Sequence, residues 1–346
     1  MQSEGDSLTR GRATSPVLQG REEIKAGADT KGQPAPHLVL VGPTASGKSR
    51  LAHALALALC VSPSMPGTEV ISIDSMSVYR HMDIATAKPS LHARREVAYH
   101  MVDVADPDEE YTVSRYQLEA MEALQSIESR GKRAILVGGT GLYLRALTDG
   151  LTIPPRWPQV ARALEREMED QDGLERMYSK LTDMDPRAAA KIDPGNKRRI
   201  IRALEVTIGS GRPFSSYGPG LESYPANSRF VVTGIPLERD SYAAAIADRF
   251  QGWMEAGLLD EVRTLLDRPR GLSRTARQAL GYKELISYIE DGIPLDDAVE
   301  HALSRTREFA RRQWRWFRRD PRIHWLDTGG DLLAQLRTIW DCGWMD

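Results

Sequence analysis

The sequence predicts an α/β fold, a parallel sheet flanked by helices with a helical insertion, and three observations carry that prediction. A glycine-rich phosphate-binding motif stands between an apolar strand and a helix. Further short apolar strands alternate with helices downstream of it, and one stretch in mid-chain turns to helices without strands. At 346 residues the chain exceeds the usual size of one domain, so a core carrying an inserted lobe is the natural organisation.

Residues 1–35 mix Gly, Ser, Thr, Pro and charge without periodicity and lack the apolar segment of a signal peptide, which predicts a disordered tail. The first strand is the β-branched and apolar run 37–41, stopped by Gly42-Pro43. The Ala- and Leu-rich segment 50–59 reads as a helix. A second strand, 70–73, ends at Asp74; a third, 134–137, ends at Gly138-Gly139 and follows a helix over roughly 113–130. Ligands in such sheets bind beyond the carboxyl ends of the strands. Residues 154–196 carry helices at 158–171, 174–184 and 186–191, separated by Pro or Gly breaks, and form the predicted insertion. Segments 36–153 and 197–346 are then the core, the second with a helix at 199–208, a Gly/Ser/Pro loop at 209–228, a strand at 230–235, helices within 240–267, 275–290 and 295–318, and a last strand at 323–326.

Hydrophobic residues make up 41% and charged residues 27%, enough for a buried core, and the formal net charge of −2 leaves partners to be read from local charge. Cys60 and Cys342 are too few for a disulfide framework and lack metal-ligand spacing, which fits a reducing, cytoplasmic setting. No apolar run is long enough to span a membrane.

Gly42, Pro43, Thr44, Ala45, Ser46, Gly47, Lys48 and Ser49 fit the pattern G-x-x-x-x-G-K-[ST] in its proper strand-to-helix setting, so the core is P-loop NTPase-like. Backbone N–H groups of such a loop turn around phosphate oxygens at the positive end of the following helix. Lys48 would contact the outer phosphate and the Ser49 hydroxyl could ligate Mg²⁺. A nucleotide hydrolase usually places an acidic Mg²⁺ ligand at another strand end. Here strand 134–137 ends in Gly138-Gly139-Thr140, without a carboxylate. Asp74, at the end of strand 70–73, should project from the same sheet edge as the loop. Its position is equally compatible with a general base and with a residue that caps the next segment or orients Mg²⁺.

The Pro-Thr-Ala-Ser inside the loop, the segment Asp74-Ser75-Met76-Ser77-Val78-Tyr79, and Met82-Asp83-Ile84-Ala85-Thr86-Ala87-Lys88-Pro89 together resemble the tRNA dimethylallyltransferases. Gly138-Gly139-Thr140-Gly141-Leu142-Tyr143, Arg202-Ala203-Leu204-Glu205-Val206 and Gly281-Tyr282-Lys283-Glu284 extend the match from about residue 37 to about 327. The resemblance implies transfer of a dimethylallyl group from dimethylallyl diphosphate to N6 of adenosine-37 in tRNAs that read codons beginning with U, with diphosphate as leaving group. It implies Asp74 as general base, Thr140 beside the reacting groups, and Arg249 with the phosphate loop and Mg²⁺ on the diphosphate. It also implies tRNA contacts by Asp74, Ser75, Met76, Ser77, Arg162, Arg198, Arg199, Ile200, Ile201 and Arg202, with the insertion on the anticodon stem and the enzyme acting as a monomer away from membranes. Ala245 and Arg315 depart from the family pattern, which commonly has Arg and Thr there.

Two basic clusters fit a polyanion: Lys197-Arg198-Arg199 with Arg202, and Arg305, Arg307, Arg311, Arg312, Arg315, Arg318, Arg319 and Arg322. Thr306, Phe309, Ala310, Gln313 and Trp316 or Phe317 recur at helical spacing and read as a core stripe. Trp314 lies off that stripe, either as a partly covered surface residue or as a platform for a base. Alternatives to tRNA are prenylation of a free adenine nucleotide, a small-molecule kinase, and a nucleotide-dependent RNA-binding module without catalysis.

Overall fold

The computed structural model describes residues 35–60, 67–218, 220–238 and 242–342, so the tail expected over residues 1–35 falls outside them except at Ala35. Six strands, β1 (His37–Val41), β2 (Thr68–Ile73), β3 (Tyr99–His100), β4 (Arg133–Gly138), β5 (Phe230–Gly234) and β6 (His324–Trp325), form one sheet in the order β3-β2-β4-β1-β5-β6. Every pairing is parallel. β1 and β5 are buried along their whole lengths, as expected of strands covered on both faces by helices.

Register sets the working edge. Val41 pairs with Gly138 and with Gly234, and Ile73 pairs with Gly138, so four strands end at one level. Gly42, Asp74, Gly139 and Ile235 each begin the exit from that edge. The β2–β4 contact is tight where they end: a Cβ on Gly138 would sit 2.1 Å from the Ile73 carbonyl oxygen.

Helices follow in chain order: α1 (Lys48–Cys60), α2 (Leu91–Glu96), α3 (Val113–Ser129), α4 (Gly141–Thr148), α5 (Pro158–Glu169), α6 (Gly173–Met184), α7 (Pro186–Ala189), α8 (Lys197–Ser210), α9 (Tyr242–Glu255), α10 (Leu258–Leu266), α11 (Tyr282–Glu290), α12 (Leu295–Phe317) and α13 (Leu332–Cys342). Strand alternation divides the core between the two faces. Leu38, Leu40, Ile135, Val137 and Val231 pack with Leu55 and Leu59 of α1 and with Leu336 and Trp340 of α13. Val39, Val41, Ile71, Ile73, Leu136 and Val232 face the other way, into a cluster with Tyr116, Leu124, Leu258, Leu285 and Phe317. Local pattern does not predict the short β3 or helices α2, α4 and α13.

α5 to α8 have a core of their own, built from Leu164, Met168, Met177, Leu181, Ile192, Ile200, Ala203 and Leu204. The boundary expected at residue 196 therefore falls inside this helical layer. Asn196 caps α8, its Oδ1 accepting from Arg199 N at 3.2 Å, but Ile200, Ala203 and Leu204 at i, i+3 and i+4 bind α8 to α5 and α6. Both chain connections to the layer are anchored at one buried cluster. Asp149 accepts from Arg145 and, at 2.7 Å, from Arg322, while Arg145 donates to the Leu221 and Ser223 carbonyls and Arg322 to the Pro225 carbonyl. Breaking such a buried pair is far costlier than its net contribution, because the remaining charge is left without a partner.

Gly138→Ala is expected to destabilise the protein by about 3 kcal/mol, since neither backbone can withdraw without parting β2 from β4. Urea unfolding checks this, and a stability equal to that of the parent would mean that the strand ends are not held at this separation.

Candidate active site and RNA-facing groove

The phosphate loop leaves β1 at Val41 and enters α1 at Lys48. Ala45 and Gly47 take positive φ, 64° and 79°, the backbone that curls a loop around an anion. Lys48 Nζ donates to the Pro43 carbonyl at 3.0 Å, folding back along the loop. From α9, Arg249 reaches the loop and donates to Thr44 Oγ1 at 3.3 Å, its guanidinium stacked 4.6 Å over the Trp253 ring one turn further on.

Lys48 and Arg249 are both half-buried residues whose charged ends are largely desolvated. Burial pulls the Lys48 ammonium down to about 8, the charge of Arg249 pushing the same way and Asp74 opposing. Burial lowers the Arg249 guanidinium as well, again against Asp74. Neither cation forms an ion pair among the described residues. Two desolvated, electrostatically coupled cations opposed only by Asp74 destabilise the free protein and favour an anion that bears several oxygens.

Asp74 opens the segment after β2. Its Oδ1 accepts from Met76 N at 2.8 Å and Ser77 N at 3.2 Å, so it closes a turn, as the capping alternative required, and both bonds fall on the same oxygen. Capping and base chemistry are therefore compatible. Thr140 follows β4; its N–H donates to the Ile73 carbonyl at 3.2 Å and its Oγ1 accepts from Ser75 N at 3.2 Å, which ties the two strand exits together. Behind them Tyr116 and Tyr143 stack at 4.0 Å, and burial raises both phenols, with Asp74 contributing to each shift.

From this point a groove of about 2640 Å³ runs between the sheet edge and the helical layer. Ordinary small-molecule pockets hold roughly 300–1,000 Å³, so its size fits a macromolecule better than a nucleotide alone. Thr44, Asp74, Ser75, Met76, Thr140 and Arg249 line its head, and Arg162, Arg198, Arg199, Ile201 and Arg202 line its flank. Arg162, Arg198 and Arg199 are exposed and form no ion pair among the described residues. Lys197, Arg198 and Arg199 occupy the first turn of α8, the positive end of its dipole, with no acidic residue there. Each cation at that end costs about 0.3–1 kcal/mol, an arrangement that an external polyanion would relieve.

Some expected contacts are not brought to the groove. Ile200 is 0% exposed and belongs to the core of the helical layer, and Ser77 is 4% exposed with its hydroxyl 2.9 Å from Ser72 Oγ. Arg202 borders the groove but spends its guanidinium on the Pro154 and Pro155 carbonyls at 2.7 and 3.1 Å and on Glu205. In the second basic cluster Arg305 pairs with the buried Glu284 at 2.9 Å, Arg312 with Glu308, and Arg322 with Asp149 and Asp320. Arg311, Arg315, Arg318 and Arg319 stay exposed. Trp314 packs edge-on against Trp325 at 4.7 Å, a partly covered position. Ser49 is exposed on the first turn of α1, and no group of three or more His, Cys, Asp or Glu side chains suited to a metal occurs among the described residues. No local sequence pattern marks Gln313 or Trp253 as part of the site. Gln313 was visible only as a polar residue on an apolar stripe, and Trp253 only as an aromatic residue four positions after Arg249.

The loop 82–88 is held beside the groove by buried charge pairs and backbone hydrogen bonds. Buried Lys88 pairs with Asp83 at 2.7 Å and Asp103 at 2.6 Å, and Glu261 accepts from the amides of Asp83 and Ile84. Ala85 and Thr86 thereby become part of the groove wall.

A family model described as IPP transferase matches residues 77–320. Proteins named tRNA dimethylallyltransferase from Desulforudis audaxviator and Geobacter metallireducens are 42% and 40% identical to this chain; the alignments cover 85% and 87% of it and 92% and 96% of theirs. Among solved structures, the full-length tRNA isopentenylpyrophosphate transferase of Bacillus halodurans superposes with a TM-score of 0.61 at 34% identity, over 88% of this chain and 94% of that one. A eukaryotic dimethylallyltransferase acting on tRNA superposes with a TM-score of 0.69 at 27% identity, over 88% and 78%. By the extent of the model match and the near-complete coverage of its relatives, the chain belongs to the IPP transferase family.

Proposed function

We propose that this protein is a tRNA dimethylallyltransferase that moves the dimethylallyl group of dimethylallyl diphosphate to N6 of adenosine-37, in tRNAs that read codons beginning with U. The observation that carries this reading is Asp74 and Arg249 together at the head of a groove far larger than a nucleotide needs, with the desolvated Lys48 of the phosphate loop electrostatically coupled to both. The amine N6 attacks the allylic carbon, the bond from that carbon to the bridging oxygen breaks, and the electron pair leaves with diphosphate. Asp74 accepts the N6 proton through the carboxylate that also closes its turn. Lys48, Arg249 and the amides of the phosphate loop stabilise the charge that grows on the leaving group.

Mg²⁺ fits this donor set. A small cation that keeps several waters and binds mainly through substrate phosphates needs only one or two protein ligands, and the exposed Ser49 hydroxyl at the loop's exit would be one. When bound, it would neutralise leaving-group charge. The helical layer, with Arg162, Arg198 and Arg199 toward the groove, would take the anticodon stem, with Ile201 as a further tRNA contact, while Asp74, Ser75 and Met76, which line the groove, would contact an extruded adenine. Ile200, Ser77 and Arg202 act by supporting these surfaces. We infer a monomeric enzyme working in the cytoplasm; no helix among the described residues is long and apolar enough to cross a membrane.

The test is incubation with Mg²⁺, dimethylallyl diphosphate and unmodified tRNA, followed by mass analysis of the nucleosides. N6-dimethylallyladenosine is expected. Product with AMP alone, or phosphate transfer from ATP, would replace this reading with a nucleotide prenyltransferase or a kinase. Asp74→Ala is expected to cut kcat by roughly two to four decades while diphosphate binding persists; parental turnover in that variant would remove Asp74 from its role.

Arg198→Glu combined with Arg199→Glu is expected to raise KM for tRNA by at least about tenfold and flatten its salt dependence, without changing affinity for inorganic diphosphate. An unchanged KM would place the RNA elsewhere.

The lowered Lys48 gives binding a pH signature. Below about pH 8 its amine is charged in the free enzyme, whereas above it the amine is increasingly neutral and must take up a proton as the anion binds. Diphosphate affinity should thus fall by up to about tenfold per unit as pH rises beyond 8. Calorimetry in buffers of different ionisation enthalpy measures the proton uptake, and Lys48→Met should abolish it.

A further inference from the structure

One buried polar side chain outside the reacting groups touches both halves of the site. Gln313 lies on the inner face of α12, 7% exposed, among apolar neighbours. Its Oε1 accepts from the backbone N–H of Thr44 at 2.7 Å, and its Nε2 donates to the Gly139 carbonyl at 2.9 Å. One contact is to the phosphate loop, the other to the exit of β4. A carboxamide offers an acceptor and a donor side by side without carrying charge or depending on its protonation state.

The fit around that amide is close. A Cβ on Gly139 would come within 2.2 Å of Gln313 Nε2, and one on Gly141 within 2.1 Å of Trp316 Nε1, one helical turn along α12. The glycines of this turn therefore let α12 sit directly on the backbone that carries Thr140. What lies on either side is the reaction: Thr44 Oγ1 holds Arg249, the neighbouring Pro43 carbonyl holds Lys48, and Thr140 Oγ1 holds the amide next to Asp74.

We propose that Gln313 is a positioning residue that locks the phosphate loop to the turn at residues 138–141 and so fixes the separation between the leaving-group cations and Asp74. This rests on the prenyl-transfer reading above. The clamp also engages the Thr44 N–H, the first amide of the loop after Pro43, which has none. While the clamp holds, the diphosphate is left to the later amides and to the side chains of Lys48 and Arg249. Misplacement of reacting groups by about 1 Å can cost about a hundredfold in rate, so the clamp governs kcat rather than binding.

The experiment measures dimethylallyl transfer to tRNA, inorganic diphosphate affinity and thermal unfolding for the parent, Gln313→Met, Asp74→Asn and the double variant. Gln313→Met keeps the volume and removes both hydrogen bonds. It is expected to lower kcat by about 10–100-fold, to leave diphosphate affinity and the KM for tRNA within about threefold, and to add little further loss in the Asp74→Asn background, because both changes disable the same step. Parental kcat, or losses in kcat and diphosphate affinity that run parallel to lowered thermal stability and multiply with Asp74→Asn, would reduce Gln313 to a packing residue. Hydrogen exchange at the Thr44 amide of the unmodified protein is a second arm that needs no variant. Protection is expected, and exchange at the rate of an open loop amide would remove the clamp. A parent that transfers no prenyl group to tRNA would overturn the proposed function instead, whereas the exchange result stands by itself.

Discussion

The in-register parallel pairing of β1, β2, β4 and β5 is the constraint on which the rest depends. Because Val41, Ile73, Gly138 and Gly234 pair at one level, the residues that follow them leave the sheet side by side, and side chains far apart in sequence meet without any long-range design of their own. Gly138 is the tightest point of that arrangement. Its missing side chain lets the backbones of β2 and β4 approach where Asp74 and Thr140 begin, and the Thr140 N–H bond to the Ile73 carbonyl seals the contact.

Onto this edge the protein imposes charge at a cost to its own stability. Lys48 and Arg249 are stripped of much of their water with only Asp74 to oppose their repulsion, and Lys197, Arg198 and Arg199 sit at the wrong end of the α8 dipole. Both arrangements are poor for a free protein and would be relieved by anions bearing several phosphate oxygens. The buried pairs elsewhere behave oppositely. Arg145 with Asp149, Arg322 with Asp320, and Lys88 with Asp103 are satisfied within the protein and hold linkers and loops in place.

α12 links these two kinds of device. Its apolar stripe packs into the core, its Gln313 and Trp316 rest on the backbone at Thr44 and at Gly139 to Gly141, and its opposite face carries exposed Arg311, Arg315 and Arg318. A helix that is part of the core and also a wall of the groove couples packing to the backbone at Thr44 and Gly139, and Gln313, uncharged and buried, makes that contact.

By itself the sequence determined the parallel α/β core, the phosphate loop, the strand-end position of Asp74 and the family, because each rests on contiguous residues: an apolar run, a turn, or a motif with its flanks. Pro and Gly breaks also marked the three helices seen as α5, α6 and α7. Only the tertiary structure decided which side α8 joins, since a capping Asn and a basic run look like a boundary locally while Ile200, Ala203 and Leu204 bind to helices upstream. The same holds for the arginines. Arg162, Arg198 and Arg199 remain open, but Arg202, Arg305 and Arg322 are taken up by partners between 2 and 173 residues away. Gln313, 269 residues from Thr44 and 174 from Gly139, lay beyond any local pattern. A side chain's hydrogen-bond partners are set by where the chain returns, not by its neighbours in sequence.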